Sequence, residues 1–90
     1  MNIGRTVKLC RTQKGMRQED LAKAAGLSVS YLSLLEQEKR RHNVETIQAI
    51  ANALGIPLWV FFFLADEKTE PDQELEKVLR DAALRYIYNL

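Results

Sequence analysis

The run Lys39-Arg40-Arg41 is the densest positive charge in the chain, and it follows on a serine-rich stretch, GLSVSYLSLLEQE. Three cations set side by side suit the oxygens of phosphates, although such a run in isolation is more often a solvated loop. The stretch before it carries Val29, Ser30, Tyr31, Ser33 and Leu34, side chains that pack on methyl groups or exchange single hydrogen bonds. The residues alone leave two readings open, a core helix with a solvated tail or a helix and basic run that meet a polyanion.

Groups for other chemistry are scarce. His42 is the only histidine and Cys10 the only cysteine. His42 has no companion at ligand or triad spacing, and there is no glycine-rich phosphate loop. No catalytic residue, no metal site and no cofactor are therefore expected, and the chain does not read as an enzyme. Glu19 and Asp20 fall in the first turn of a helix, where they favour its dipole, and do not read as an acid/base pair. Cys10 lies in a helical pattern and reads as a buried, inert thiol.

Net charge is +1 over 90 residues, but its distribution is uneven. Residues 1–58 hold nine Lys/Arg and five Asp/Glu, or +4; residues 59–90 hold four and seven, or −3. Only the front could face a polyanion. Apolar residues make up 47% of the chain, enough for a core, although a domain this small gains from oligomerisation. The first residues show no secretory signal, and LWVFFFLA (58–65) is too short to span a bilayer. The expectation is a cytoplasmic protein with no membrane contact.

The elements that must position these residues are all helical, because no segment alternates with period two. Ile3, Val7, Cys10 and Arg11 mark a first helix that Asn2 would cap and Gly15 would end. A second runs from Gln18 to Ala25, with Leu21, Ala22 and Ala25 inside and Gly26 as its stop. Ser28 caps a third, seated by Leu32 and Leu35, that ends near Gln37. Asn43 caps a fourth, with Val44, Ile47, Ile50, Ala51 and Leu54 on one stripe. Ile56-Pro57 then opens a fifth. The polar run EKTEPD indicates a linker, and Leu75, Val78, Leu79, Ala82, Tyr86 and Leu90 form the apolar stripe of a sixth helix. The expected division is a domain over 1–64, a linker over 65–71 and a C-terminal helix over 72–90. Small residues at Ala22 and Ala25 let the third helix cross the second closely, and Gly26 supplies the positive φ of a tight turn.

The run RTQKGMRQEDLAKAAGLSVSYLSLLEQEKRRHNVETIQAIANALGIP then resembles the Xre family, the Cro and phage-repressor type of DNA-binding domain. The matches are Arg11, Gln18, Leu21-Ala22, Gly26, Ser28, Leu32-Ser33, Glu36, Glu45-Thr46 and Ala51 with Leu54-Gly55-Ile56. The resemblance implies an all-α fold: a five-helix phage-repressor-like helix-turn-helix domain, here with a C-terminal amphipathic helix added. It implies double-stranded DNA as partner, bound by a dimer with the third helix in the major groove. By position, Val29, Ser30, Ser33 and Leu34 would face base edges, with Tyr31 beside them on a phosphate or a sugar. Gln18, at a helix N-terminus, and Lys39, Arg40 and Arg41 would hold phosphates. Arg11 and Glu36 would form the family's internal salt bridge.

Three residues depart from the pattern. Arg17 replaces the usual Ser or Thr cap and adds a charge that suits a phosphate. Glu38 takes the place of a glycine expected at positive φ. His42 replaces a common proline. The third helix also lacks the Arg, Asn or Gln that read guanine or adenine through paired hydrogen bonds, until Gln37. Much of the affinity is therefore expected from phosphates, and part of the specificity from DNA shape.

Trp59, Val60, Phe61, Phe62, Phe63 and Leu64 exceed what one short helix can bury, so the sixth helix of the same chain, the same surface of a second chain, or both should cover Trp59, Phe62 and Phe63. With Leu75, Val78, Leu79, Ala82 and Tyr86 they are expected to form a two-fold dimer interface. No small-molecule effector is evident, since no sensor fold fits after residue 64. The expected function is a homodimeric repressor or controller protein reading a pseudo-palindromic operator. The alternative is an antitoxin-like or other protein-interaction module whose C-terminal helix docks a protein partner.

Overall fold

The computed structural model describes residues 2–65 and 73–88, the side chains of 73–76 excepted. The expected linker, apart from Ala65, falls outside them, as do Leu90 and the side chain of Leu75. Six helices follow in order: α1 (Ile3–Gln13), α2 (Gln18–Ala25), α3 (Val29–Glu36), α4 (Val44–Leu54), α5 (Leu58–Ala65) and α6 (Gln73–Tyr88). There is no strand among the described residues, and no single helix there is long and apolar enough to cross a membrane.

Local chemistry sets most helix boundaries. The Ser28 hydroxyl accepts from the Tyr31 N–H at 3.0 Å and opens α3. The Asn43 side chain accepts from the Thr46 N–H at 2.7 Å and opens α4. Each satisfies a donor that a helix start leaves without an intrahelical partner. Asn2 differs from expectation: its side chain makes no capping bond to α1. Its backbone N–H donates to the Ala65 carbonyl at 3.1 Å, and its carbonyl accepts from Thr6, so α1 begins against the end of α5. Arg17 supplies no acceptor to α2, but the Asp20 carboxylate reaches back to the Arg17 N–H at 3.0 Å.

The core is one cluster. Ile3, Val7 and Cys10 of α1, Leu21 of α2, Leu32 and Leu35 of α3, Ile47 and Ile50 of α4, and Val60 and Phe61 of α5 are all at most 1% exposed. Burial in this apolar setting pushes the Cys10 thiol up to about 11. Val44 departs from the stripe expected on α4: as that helix's first residue it turns outward, 61% exposed.

α6 meets the core along a strip next to its expected apolar stripe. Its contact with the core is made by Ala83, fully buried, and Ile87, 3% exposed. Val78, Leu79 and Tyr86, from the expected stripe, remain exposed, and Ala82 is half-buried. Ala83 and Ile87 lie on a strip beside the expected one, from which Tyr86 stands against Trp59 of α5.

Candidate nucleic-acid interface

α3 is held from beneath by apolar contacts and at its end by charge. Leu32 and Leu35 bury fully under it, and its last residue, Glu36, is 5% exposed. Arg11 grips the Glu36 carboxylate with two hydrogen bonds, Nε to Oε2 at 2.7 Å and Nη2 to Oε1 at 3.0 Å. Its third nitrogen donates to the Met16 carbonyl at 2.8 Å. The Gln18 amide donates to Glu36 Oε1 at 3.0 Å. A buried ion pair is tolerable only when its remaining hydrogen-bonding capacity is used, as it is here. Among the described residues no buried side-chain polar atom lacks a partner. The expected Arg11–Glu36 pair is thus present. Gln18, expected to face a phosphate, turns one amide hydrogen inward to the same carboxylate.

The turn beyond α3 is shaped by Glu38. This residue takes φ 61°, the left-handed conformation expected where glycine is usual. Its N–H donates to the Leu35 carbonyl and the Lys39 N–H to the Leu34 carbonyl, the two bonds of a left-handed helix end. Sequence reasoning gave no reason for a glutamate there; the structure does. Glu38 Oε1 accepts from the Arg5 backbone N–H at 3.0 Å, thereby capping the first turn of α1. Gly4 makes this approach possible, because a Cβ there would run into the Leu35 carbonyl oxygen. Neither Gly4 nor the Glu38 contact carried a sequence signal, since 33 positions separate Arg5 from Glu38.

The outer face of α3 remains open. Val29 is 45% exposed and Leu34 36%; Ser30 is exposed and Ser33 half-buried. The Gln37 side chain donates to the Ser33 hydroxyl at 3.1 Å, so its amide lies beside the expected base-facing residues. Lys39, Arg40 and Arg41 are all exposed and, with Glu38 and His42, surround a shallow concavity. Among the described residues none of these three cations has an ion-pair partner. Arg17, at the start of α2, is exposed as well, but it pairs with Glu19 at 3.0 Å and Asp20 at 3.3 Å. The Arg17 backbone N–H, with help from its guanidinium, holds the Asp20 carboxyl below the ordinary carboxylate range. Tyr31, expected on a phosphate, sends its hydroxyl to the Arg41 carbonyl at 2.9 Å, and the Arg40 guanidinium lies over its ring, 5.6 Å from the centroid.

On the α5–α6 side, Trp59 is 42% exposed and stands edge-on to Phe63 and to Tyr86, with ring centres 6.3 and 6.2 Å away. The Arg80 guanidinium covers Phe63 at 5.6 Å, and Phe62 and Phe63 are half-buried against the core. Among the described residues no three of His, Cys, Asp and Glu come together to hold a metal ion.

A short helix seated across a second, with an open outer face and a cationic turn beyond it, defines a helix-turn-helix unit. A family model described as helix-turn-helix matches residues 7–58, and the chain belongs to that family, as its Xre-type pattern indicates. It is 31% identical over 81 residues to the immunity repressor protein of Bacillus phage phi105, covering 86% of this chain and 56% of that protein. It is 32% identical over 87 residues to the HTH-type transcriptional regulator SinR of Bacillus subtilis strain 168, covering 89% and 76%. Among solved structures, the wild-type restriction-modification controller protein C.Esp1396I aligns with a TM-score of 0.67 at 26% identity, covering 88% of this chain and 92% of that one.

Proposed function

We propose that this chain is a sequence-specific regulator of transcription, a homodimeric repressor or controller protein that binds double-stranded DNA through the major groove. The observation that carries this reading is the division of α3. Its inner face is locked by Leu32, Leu35 and the Arg11–Glu36–Gln18 cluster, while Val29, Ser30, Ser33 and Leu34 are presented beside three cations without an ion-pair partner among the described residues. Its relatives, an immunity repressor, a transcriptional regulator and a controller protein, support it.

In this reading Lys39, Arg40 and Arg41 hold phosphates and set the register of α3. Val29 and Leu34 pack on thymine methyls, and Ser30 and Ser33 add weak hydrogen-bond discrimination. Gln37, on the same face, offers an amide, while Arg17 reaches a phosphate only by exchanging its carboxylate partners. No chemical step is required, and the protein acts in the cytoplasm without cofactor or effector. Trp59, Phe62, Phe63, Leu75, Val78, Leu79, Ala82 and Tyr86 join two copies, setting their recognition helices about 34 Å apart, one turn of DNA.

Selection of bound sites from random duplex DNA tests the reading. The expected winners are pseudo-palindromes with half-sites one helical turn apart. Recovery of no common sequence, together with binding that ignores salt, would remove it.

A further inference from the structure

We infer that Tyr31 is a positioning residue for the phosphate-gripping turn and makes no contact with DNA itself; this rests on the DNA-binding reading above. A tyrosine hydroxyl carries one proton, and the oxygens of a phosphodiester only accept. The Tyr31 proton is already given to the Arg41 carbonyl at 2.9 Å. The hydroxyl cannot donate to a phosphate without releasing that carbonyl. Its ring is also engaged, half-buried and lying under the Arg40 guanidinium at 5.6 Å.

The turn needs such a post. Its start is fixed by the Glu38 and Lys39 N–H groups on α3 carbonyls, and its end by the Asn43 cap of α4. Among the described residues, the only hydrogen bond made by residues 40–42 is the one Arg41 accepts from Tyr31. Tyr31 therefore ties the middle of the turn to the helix that would enter the groove. Arg40 and Arg41 are held near one place before DNA arrives, so less ordering is left to be done on binding. The phenol acts through these two residues, and its effect on affinity must vanish when their charges are absent.

The test is a double-mutant cycle with Tyr31→Phe, which keeps the ring and removes only the hydroxyl, against the pair Arg40→Ala and Arg41→Ala. Binding is followed with a fluorescently labelled mixed-sequence duplex at low salt. Tyr31→Phe should weaken binding about fivefold in the natural background and less than about twofold in the double-alanine background. In the free protein, it should speed amide hydrogen exchange in residues 40–42 while thermal unfolding stays close to that of the parent. Equal losses in both backgrounds would show that Tyr31 touches DNA directly, and unchanged affinity with unchanged exchange would show that it positions nothing; either outcome overturns the inference. The double-alanine protein is also the control for the underlying reading. If it binds the duplex as well as the parent does, the turn does not grip phosphates, whatever the exchange rates show.

Discussion

Arg11 and Glu36 in one region of the molecule, and Trp59 and Tyr86 in another, pose opposite problems of solvation. The first pair buries charge, and Arg11, Gln18 and the Met16 carbonyl satisfy it with hydrogen bonds, so that no buried side-chain polar atom among the described residues lacks a partner. The second exposes large apolar rings, held edge-on to one another with Val78 and Leu79 exposed on the same helix as Tyr86. Buried charge is costly to leave unpaired, so the first region is built to hold α3 in one orientation. Exposed aromatic surface is costly in water, which supports the proposal that a second copy covers the second region. The contrast separates a region whose buried polar groups are satisfied within the chain from one that leaves large apolar rings in contact with water.

A smaller contrast lies inside the first region. Gly26 and Glu38 both end helices in the left-handed conformation, at φ 72° and 61°. Gly26 does so without steric penalty and with nothing near its open side. Glu38 is strained but sends its carboxylate to α1. One turn is determined by its own backbone, and the other by a partner elsewhere in the fold.

The largest effect expected is from Glu36→Ala, which strands the Arg11 guanidinium and should lower stability by about 3–5 kcal/mol in urea unfolding. Adding Arg11→Ala should then cost less than the sum of the two single changes. Independent, additive losses would mean that the cluster is no unit. Gly4→Ala comes next: its methyl group must force α1 away from the Leu35 carbonyl, at a cost of about 1–3 kcal/mol by the same measurement.

Gly26→Ala should cost roughly 1 kcal/mol, whereas Glu38→Gly should change stability by less than about 1 kcal/mol, because relief of strain offsets the lost cap. A Glu38→Gly protein more stable by well over that amount would show the contact with Arg5 to be weak. Trp59→Ala should alter the unfolding of the single chain by only about 1 kcal/mol or less, while sedimentation shows the proposed dimer weakened. A loss as large as that of Glu36→Ala with no change in association would erase the distinction between the two regions.

The smallest effect concerns acid. The folded Asp20 carboxyl is lowered below its ordinary 3.8, chiefly by the Arg17 N–H. The stability this contributes is present above about pH 4 and is lost as pH falls through the lowered value. Melting curves across this acid window should therefore differ in slope between the parent and Asp20→Asn, with the parent the steeper.

Helix boundaries were legible wherever a cap is a local matter, as at Ser28, Asn43 and Gly26, because the partner lies within a few residues. The inner faces of α2 and α3 were legible too, from Leu21, Ala22, Leu32 and Leu35. Periodicity found α6 and its apolar stripe, but it could not tell that Ala83 and Ile87, beside that stripe, would meet the core. Asn2 looked like a cap by residue type, yet its backbone N–H is what α5 engages.

By itself the sequence determined six helices, the helix-turn-helix pattern and the placement of cations after α3, all consequences of residue type and short-range spacing. Only the tertiary structure decided that Gly4 must lack a side chain, that Glu38 reaches α1, that Ala83 and Ile87 seat α6, and that Tyr31 donates its one proton to Arg41. Each of these depends on which remote atoms arrive within about 3–4 Å, a distance that packing sets and local spacing does not.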